Sequence, residues 1–138
     1  MYEAHWNISA RPFENWGDSR YFFPSYVHQS ALMHLRYAIE SRRAAVAVCG
    51  DSGMGKTLLL DTLAEQLSDS ESPIARIVFP QISGEQLLGY VADELTGENG
   101  EFDEPPRITL RRISQFLHDN IEAGKHAVVI VDEAQLLS

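Results

Sequence analysis

The sequence has 138 residues, enough for a single domain with a buried core. With 44% hydrophobic and 22% charged residues it has the composition of a folded polypeptide, which excludes a low-complexity chain. A net charge of −9 argues against a broad groove for nucleic acid or another polyanion.

The chain opens Met1-Tyr2-Glu3-Ala4-His5-Trp6, without the basic and apolar regions of a secretory signal. No apolar stretch approaches the ~20 residues of a membrane span. The expectation is a cytoplasmic protein, with any membrane association left to a downstream region. Up to residue 26 the chain is rich in aromatics: Tyr2, Trp6, Phe13, Trp16, Tyr21, Phe22, Phe23 and Tyr26. They have no period, and Pro12, Gly17 and Pro24 interrupt them. This predicts an irregular arm whose rings pack onto the domain, part of it bordering an adenine in the functional reading.

Residues 28–41 predict a helix with Ala31, Leu32, Leu35, Ala38 and Ile39 on one face. Arg42 and Arg43 close it, where cations suit the helix dipole. Ala44-Ala45-Val46-Ala47-Val48-Cys49 is a continuous apolar run, which predicts a strand buried on both faces of a parallel sheet. Cys49, the single cysteine, excludes an internal disulfide and is expected in the core. After a glycine-rich stretch, a helix runs to about Leu67 with Leu60, Leu63, Ala64 and Leu67 inward. A polar loop follows at 68–73, then a second strand at 74–79. Ser83 and Gln86 have capping-box spacing and predict a helix start. Its stripe is Leu87, Leu88, Val91 and Leu95, and Gly97 stops it. Residues 98–106 predict a surface loop. A further helix spans about 108–123, with Leu110, Ile113, Phe116, Leu117 and Ile121 on one side. The strand Ala127-Val128-Val129-Ile130-Val131 then runs directly into Asp132-Glu133. Alternating strands and helices imply an α/β fold with parallel pairing.

Two motifs carry chemistry. Gly50-Asp51-Ser52-Gly53-Met54-Gly55-Lys56-Thr57 fits the phosphate-loop pattern G-x-x-x-x-G-K-[ST] at every fixed position. Its glycines let successive N–H groups turn onto phosphate oxygens, and the helix that follows adds its own free N–H groups. Lys56 supplies charge to the β- and γ-phosphates and Thr57 a hydroxyl to Mg²⁺. Residues 50–57 together with Leu58 are therefore the expected ATP contacts. The second motif ends the last strand: Asp132 is placed to hold Mg²⁺, and Glu133 to polarise the attacking water. Lys56 and Glu133 are the expected catalytic residues, and Thr57 and Asp132 the expected metal ligands. The histidines at 5, 28, 34, 118 and 126 lack metal-ligand spacing and are assigned surface or packing roles. Arg111 and Arg112 read as a solvated helix face.

The stretches Arg11-Pro12-Phe13, Asp18-Ser19-Arg20-Tyr21-Phe22-Phe23-Pro24-Ser25 and His28-Gln29-Ser30-Ala31-Leu32 resemble the general secretion pathway protein A (ExeA-like) ATPases. So do Leu35-Arg36-Tyr37-Ala38-Ile39-Glu40, the phosphate loop and Val131-Asp132-Glu133-Ala134-Gln135. The resemblance implies an AAA+ ATPase with strand order 5-1-4-3-2, assembling as a ring or dimer and serving envelope secretion; relatives assist DNA transposition. Such a domain has further strands, sensor residues, an arginine finger and a helical lid beyond the Walker B element, so the sequence reads as an N-terminal fragment. Residues 1–43 form the arm and leading helix and residues 44–138 the start of the ATPase domain. The expected activity is ATP hydrolysis by a full-length homo-oligomer, driving a secretion partner. The alternatives are a nucleotide-gated binding module, a transposition-associated regulator and, less suited to Asp132-Glu133, a phosphotransferase acting on a small acceptor.

Overall fold

The structure is a computed structural model, and residues 5–7, 22–68, 72–78, 82–100 and 104–137 are described. Helix α1 covers Tyr26–Glu40 and is capped by the Ser25 side chain, which accepts from the His28 N–H. Helix α2 covers Lys56–Ser68, strand β1 Ile74–Ile77, helix α3 Gly84–Thr96, helix α4 Pro106–Glu122 and strand β2 Val128–Val131. A 3₁₀ turn at Ala134–Leu136 follows β2.

β1 and β2 pair in parallel, with Ile74 opposite Val128 and Ile77 opposite Val131. The ladder extends one step at each end, since Val128 N donates to the Pro73 carbonyl and Asp132 N to that of Ile77. Parallel strands require a crossover, and the α3–α4 hairpin between them provides it. Buried Ala75 and Ile77 of β1, Ala92 and Leu95 of α3 and Ile130 of β2 lie in this layer. A second apolar cluster joins Leu35 of α1 to Leu59 and Leu63 of α2, with Phe22, Ala31, Leu32, Ile39, Val48 and Leu67 packed against it.

Helix boundaries follow local chemistry. Ser83 and Gln86 form the complete capping box of α3, and Gly97 closes that helix at φ 70°, a conformation open to glycine at little cost. Pro106 opens α4, where its missing N–H is of no consequence.

Several expectations are corrected. Residues 44–49 form no regular secondary structure and belong to no ladder among the described residues, and most of the segment is exposed. An apolar run becomes a strand only where a neighbour offers hydrogen-bonding groups. In the strand order implied by the resemblance, another strand separates this run from β2, whereas β1 and β2 are direct neighbours. Cys49, expected in the core, is consequently exposed. In α2 the deeply buried pair is Leu59 and Leu63 rather than Leu60 and Leu63. The stripe of α4 is covered only in part: Leu110, Leu117 and Ile121 are exposed, and the buried residue of the helix is Thr109.

Arg112 is not solvated. Its guanidinium donates to Glu104 Oε2 at 3.0 Å, to Asp93 Oδ1 at 2.9 Å and to the Glu98 carbonyl at 2.8 Å. The hydrogen bond to Asp93, then that to Glu104, raises its pKa against the opposing effect of burial. It thereby ties Glu98 and Glu104 to α3 and α4. Of the aromatic arm, Phe22 packs on the core while Trp6, Phe23 and Tyr26 are exposed. Tyr2, Phe13, Trp16 and Tyr21 lie outside the described residues, as does the end of the predicted strand at Phe79.

Candidate nucleotide site

The phosphate loop leads straight into α2. Gly53 and Gly55 both take φ +79°, the left-handed region that turns a backbone back on itself and that side chains other than glycine resist. Leu59 N donates to the Gly55 carbonyl, so the helical ladder begins at Gly55. The N–H groups of Lys56, Thr57 and Leu58 therefore have no acceptor within the helix and stand at its positive end. Leu58, one of the expected contacts, offers its amide N–H at this end of the helix.

Lys56 bends across its own loop. Its ammonium donates to the carbonyls of Gly50 at 3.0 Å and Asp51 at 2.9 Å. Met54 N reaches back to the Asp51 carbonyl at 3.4 Å. Thr57 points to the end of β2, and its hydroxyl donates to Asp132 Oδ2 at 2.7 Å. Asp132 is only 6% exposed, and its other carboxylate oxygen accepts from Glu133 N at 2.9 Å. The two oxygens expected to serve a metal are thus adjacent. They are hard donors of the kind Mg²⁺ takes, and Mg²⁺ completes its shell with waters and phosphate oxygens instead of a protein cage. Among the described residues no cluster of three or more His, Cys, Asp or Glu side chains could hold a metal ion.

Glu133 is placed differently. It is exposed, adopts φ 51° and ψ 39°, and begins the 3₁₀ turn. Its carboxylate accepts from the Gln135 side-chain amide. Behind the site, Arg76 of β1 pairs with Asp61 of α2, one helical turn beyond Thr57. Burial pushes the Asp61 carboxyl above its ordinary value, partly opposed by Arg76; the charges of Asp132 and Glu65 push it further up.

His28 was not expected at the site. Its Nε2 lies 2.9 Å from the Met54 carbonyl oxygen, in the middle of the phosphate loop. The Ser25-x-x-His28 spacing shows an N-cap, but nothing local in the sequence shows that the capped end abuts residue 54. An open groove of about 460 Å³ lies at the opposite ends of the strands, lined by Ser72, Ile74, Leu95, Phe116 and Asn120. It has no phosphate-binding loop and is far from the two motifs in the fold.

The family profile described as "AAA domain" matches residues 39–138. The chain belongs to the AAA domain family. Membership implies a P-loop NTPase fold and nucleotide binding, of which the parallel pair and its helices are a part. The chain is also 34% identical over 137 residues to general secretion pathway protein A of Aeromonas hydrophila, a match covering 99% of this chain. It spans 25% of that relative's length. No solved structure matches. No helix among the described residues is long and apolar enough to cross a membrane.

Proposed function

We propose that this AAA domain binds Mg-ATP on residues 50–58 and that the full-length protein hydrolyses it. The observation that carries the reading is the Thr57–Asp132 hydrogen bond, which brings the two expected metal ligands together at the mouth of the phosphate loop.

In this reading, phosphate oxygens are received by the backbone N–H groups of the loop and of Lys56, Thr57 and Leu58. Lys56 exchanges two loop carbonyls for the β- and γ-phosphates, a gain because a charge-assisted contact to an anion is stronger than one to a neutral carbonyl. Thr57 and Asp132 would hold Mg²⁺, which when bound would supply positive charge beside the phosphates. Glu133, one residue beyond the metal ligand, orients the water for in-line attack and takes its proton.

The relative's name concerns secretion. By extension we propose that the full-length protein works as a homo-oligomer that energises a secretion assembly. A second reading, a nucleotide-gated module that turns over slowly until its partner engages, is favoured by one contact. The Glu133 carboxylate is engaged by Gln135, which competes with water for the same lone pairs.

The test is calorimetry of Mg-ATP binding to the full-length protein and its Lys56→Ala variant, with phosphate release measured alongside. Loss of binding in the variant supports the site; equal affinity of the two proteins rejects it. Release that begins only with a partner present favours the second reading.

A further inference from the structure

We propose that His28 is a positioning residue of the phosphate loop, which fixes the Met54–Gly55 peptide so that the Gly55 N–H faces the bound phosphate. The inference deepens the nucleotide-binding reading and rests on it.

Two contacts bear on the ring's protonation at Nε2. A carbonyl oxygen can only accept, so the 2.9 Å contact between His28 Nε2 and the Met54 oxygen places a proton on Nε2. With the ring neutral, Nδ1 is then the acceptor, and the Ser25 hydroxyl donates to it at 2.6 Å. The same Ser25 oxygen receives the His28 N–H at 3.4 Å as the cap of α1. Phe22 meets the ring edge to face, with centroids 5.8 Å apart and planes at 86°. Seven residues along α1, Leu35 anchors the helix in the cluster with Leu59 and Leu63 of α2. The imidazole is thus held by a cap, an aromatic edge and the packing of the two helices. It lies close over Gly55, where an added Cβ would meet Nε2 at 3.4 Å.

Peptide planarity carries this to the site. Within one trans unit the C=O and the following N–H point in opposite directions. Drawing the Met54 carbonyl toward His28 therefore turns the Gly55 N–H away from the ring, and on this proposal toward the phosphate. This peptide needs such a restraint. Gly53 and Gly55, both at φ +79°, stand on either side of Met54, and glycine permits the peptide to flip at low cost. An outside donor that accepts only one orientation removes that freedom before the ligand arrives, and preorganisation of this kind raises affinity. The sequence Ser25-x-x-His28 thus couples the start of α1 to the phosphate loop 26 residues later.

The experiment uses the full-length protein in four forms: unaltered, His28→Leu, His28→Gln and Lys56→Ala. Leucine keeps bulk and lacks a donor, whereas glutamine can offer an amide N–H from a position close to that of Nε2. Mg-ATP affinity is measured by calorimetry well below the melting temperature, with KM and kcat from phosphate release and a melt of each form. One lost hydrogen bond predicts that His28→Leu raises Kd and KM roughly tenfold while kcat changes by less than about twofold; glutamine restores most of the affinity. The inference is overturned if His28→Leu binds as the unaltered protein does, if His28→Gln is as weak as His28→Leu, or if the leucine variant melts earlier with Kd unchanged. If Lys56→Ala loses binding and His28→Leu does not, only the role of His28 falls. If the unaltered protein does not bind Mg-ATP, or Lys56→Ala binds equally well, the nucleotide reading falls and this inference with it.

Discussion

Thr57 Oγ1 donates a 2.7 Å hydrogen bond to Oδ2 of Asp132, 75 residues further along the chain. The contact joins the first turn of α2 to the end of β2, so any shift of one element relative to the other is felt at the site. It also satisfies a carboxylate that is 6% exposed and would otherwise carry an uncompensated lone pair in a poorly solvated position. Geometry that suits a metal and geometry that satisfies a buried acid coincide here, which is why the pair can be in place before the ligand arrives.

The Arg112 junction gives a stability prediction. Asp93 accepts from both Arg112 and Gly100 N, and Glu104 accepts from both Arg112 and the buried Thr109 hydroxyl at 2.8 Å. Arg112→Met removes the shared cation and leaves two carboxylates side by side. The expected loss is about 2 kcal/mol, or roughly 5–10 °C in Tm for a domain of this size. A Cβ on Gly100 would stand 2.5 Å from Arg112 Nη1, so Gly100→Ala displaces the same guanidinium. The two substitutions therefore combine to less than the sum of their single effects in a double-mutant cycle. Full additivity by thermal melting would show that they act separately.

Asp61 supplies a pH dependence of defined sign. Burial raises its folded-state pKa above 3.8, so between that value and the raised one the folded state holds more proton than the unfolded state. Asp61 therefore makes stability fall as pH rises through this window, and the deficit persists above it. Chemical denaturation from about pH 3 to about pH 7 should show unaltered protein losing stability relative to Asp61→Asn across the window. Arg76→Gln removes the opposing pull, so the Asp61 carboxyl midpoint followed by NMR should rise further. A fall would show that Arg76 is not the group that restrains it.

The legible parts of the fold were those encoded by neighbours in sequence. Ser83, Gln86 and Gly97 announce both ends of α3 because caps act over three or four residues, and the glycine pattern of residues 50–57 specifies its loop by itself. Residues 44–49 were misread because two-sided apolarity describes a strand's requirements without supplying its partner. Arg112 was misread for a related reason. It is polar and sits on a helix, so local pattern makes it solvent-facing, while its partners lie up to 19 residues away. For His28 a surface or packing role was all that local spacing offered; its contact with the phosphate loop spans 26 residues. The position of Asp132 at the end of an apolar strand was legible, and so was its expected nearness to the phosphate loop, met in the contact with Thr57; the engagement of Glu133 by Gln135 was not.

The misread segment leads to a prediction about association. Val46 is 51% exposed in an apolar run that belongs to no ladder among the described residues, a surface that invites pairing between copies. The isolated 138-residue chain should self-associate with rising concentration, and Val46→Lys should reduce this in size-exclusion chromatography. An unchanged elution profile would place the sticky surface elsewhere, with the exposed Leu110, Leu117 and Ile121 face of α4 the next to alter.

Substitutions at Asp132 and Glu133 should separate binding from hydrolysis. Asp132→Asn is nearly isosteric and keeps one oxygen able to accept from Thr57, so the fold should survive. It removes the negative charge that a divalent cation requires, and the cost should appear as lost Mg²⁺ dependence of ATP binding. Glu133→Gln leaves Asp132, Thr57 and Lys56 in place, and Glu133 is exposed with its carboxylate directed to Gln135. ATP affinity should therefore stay within about threefold of the unaltered protein, while phosphate release falls by roughly 10²–10⁴-fold, the usual share of a general base. Gln135→Ala completes the set. Removing the competing amide frees the carboxylate for water and should raise basal turnover severalfold without altering affinity. Calorimetry with and without Mg²⁺, beside single-turnover phosphate release, distinguishes the three variants. Normal hydrolysis by Glu133→Gln would remove this residue from the mechanism; reduced turnover in Gln135→Ala would show that the amide orients Glu133 for the reaction instead of restraining it.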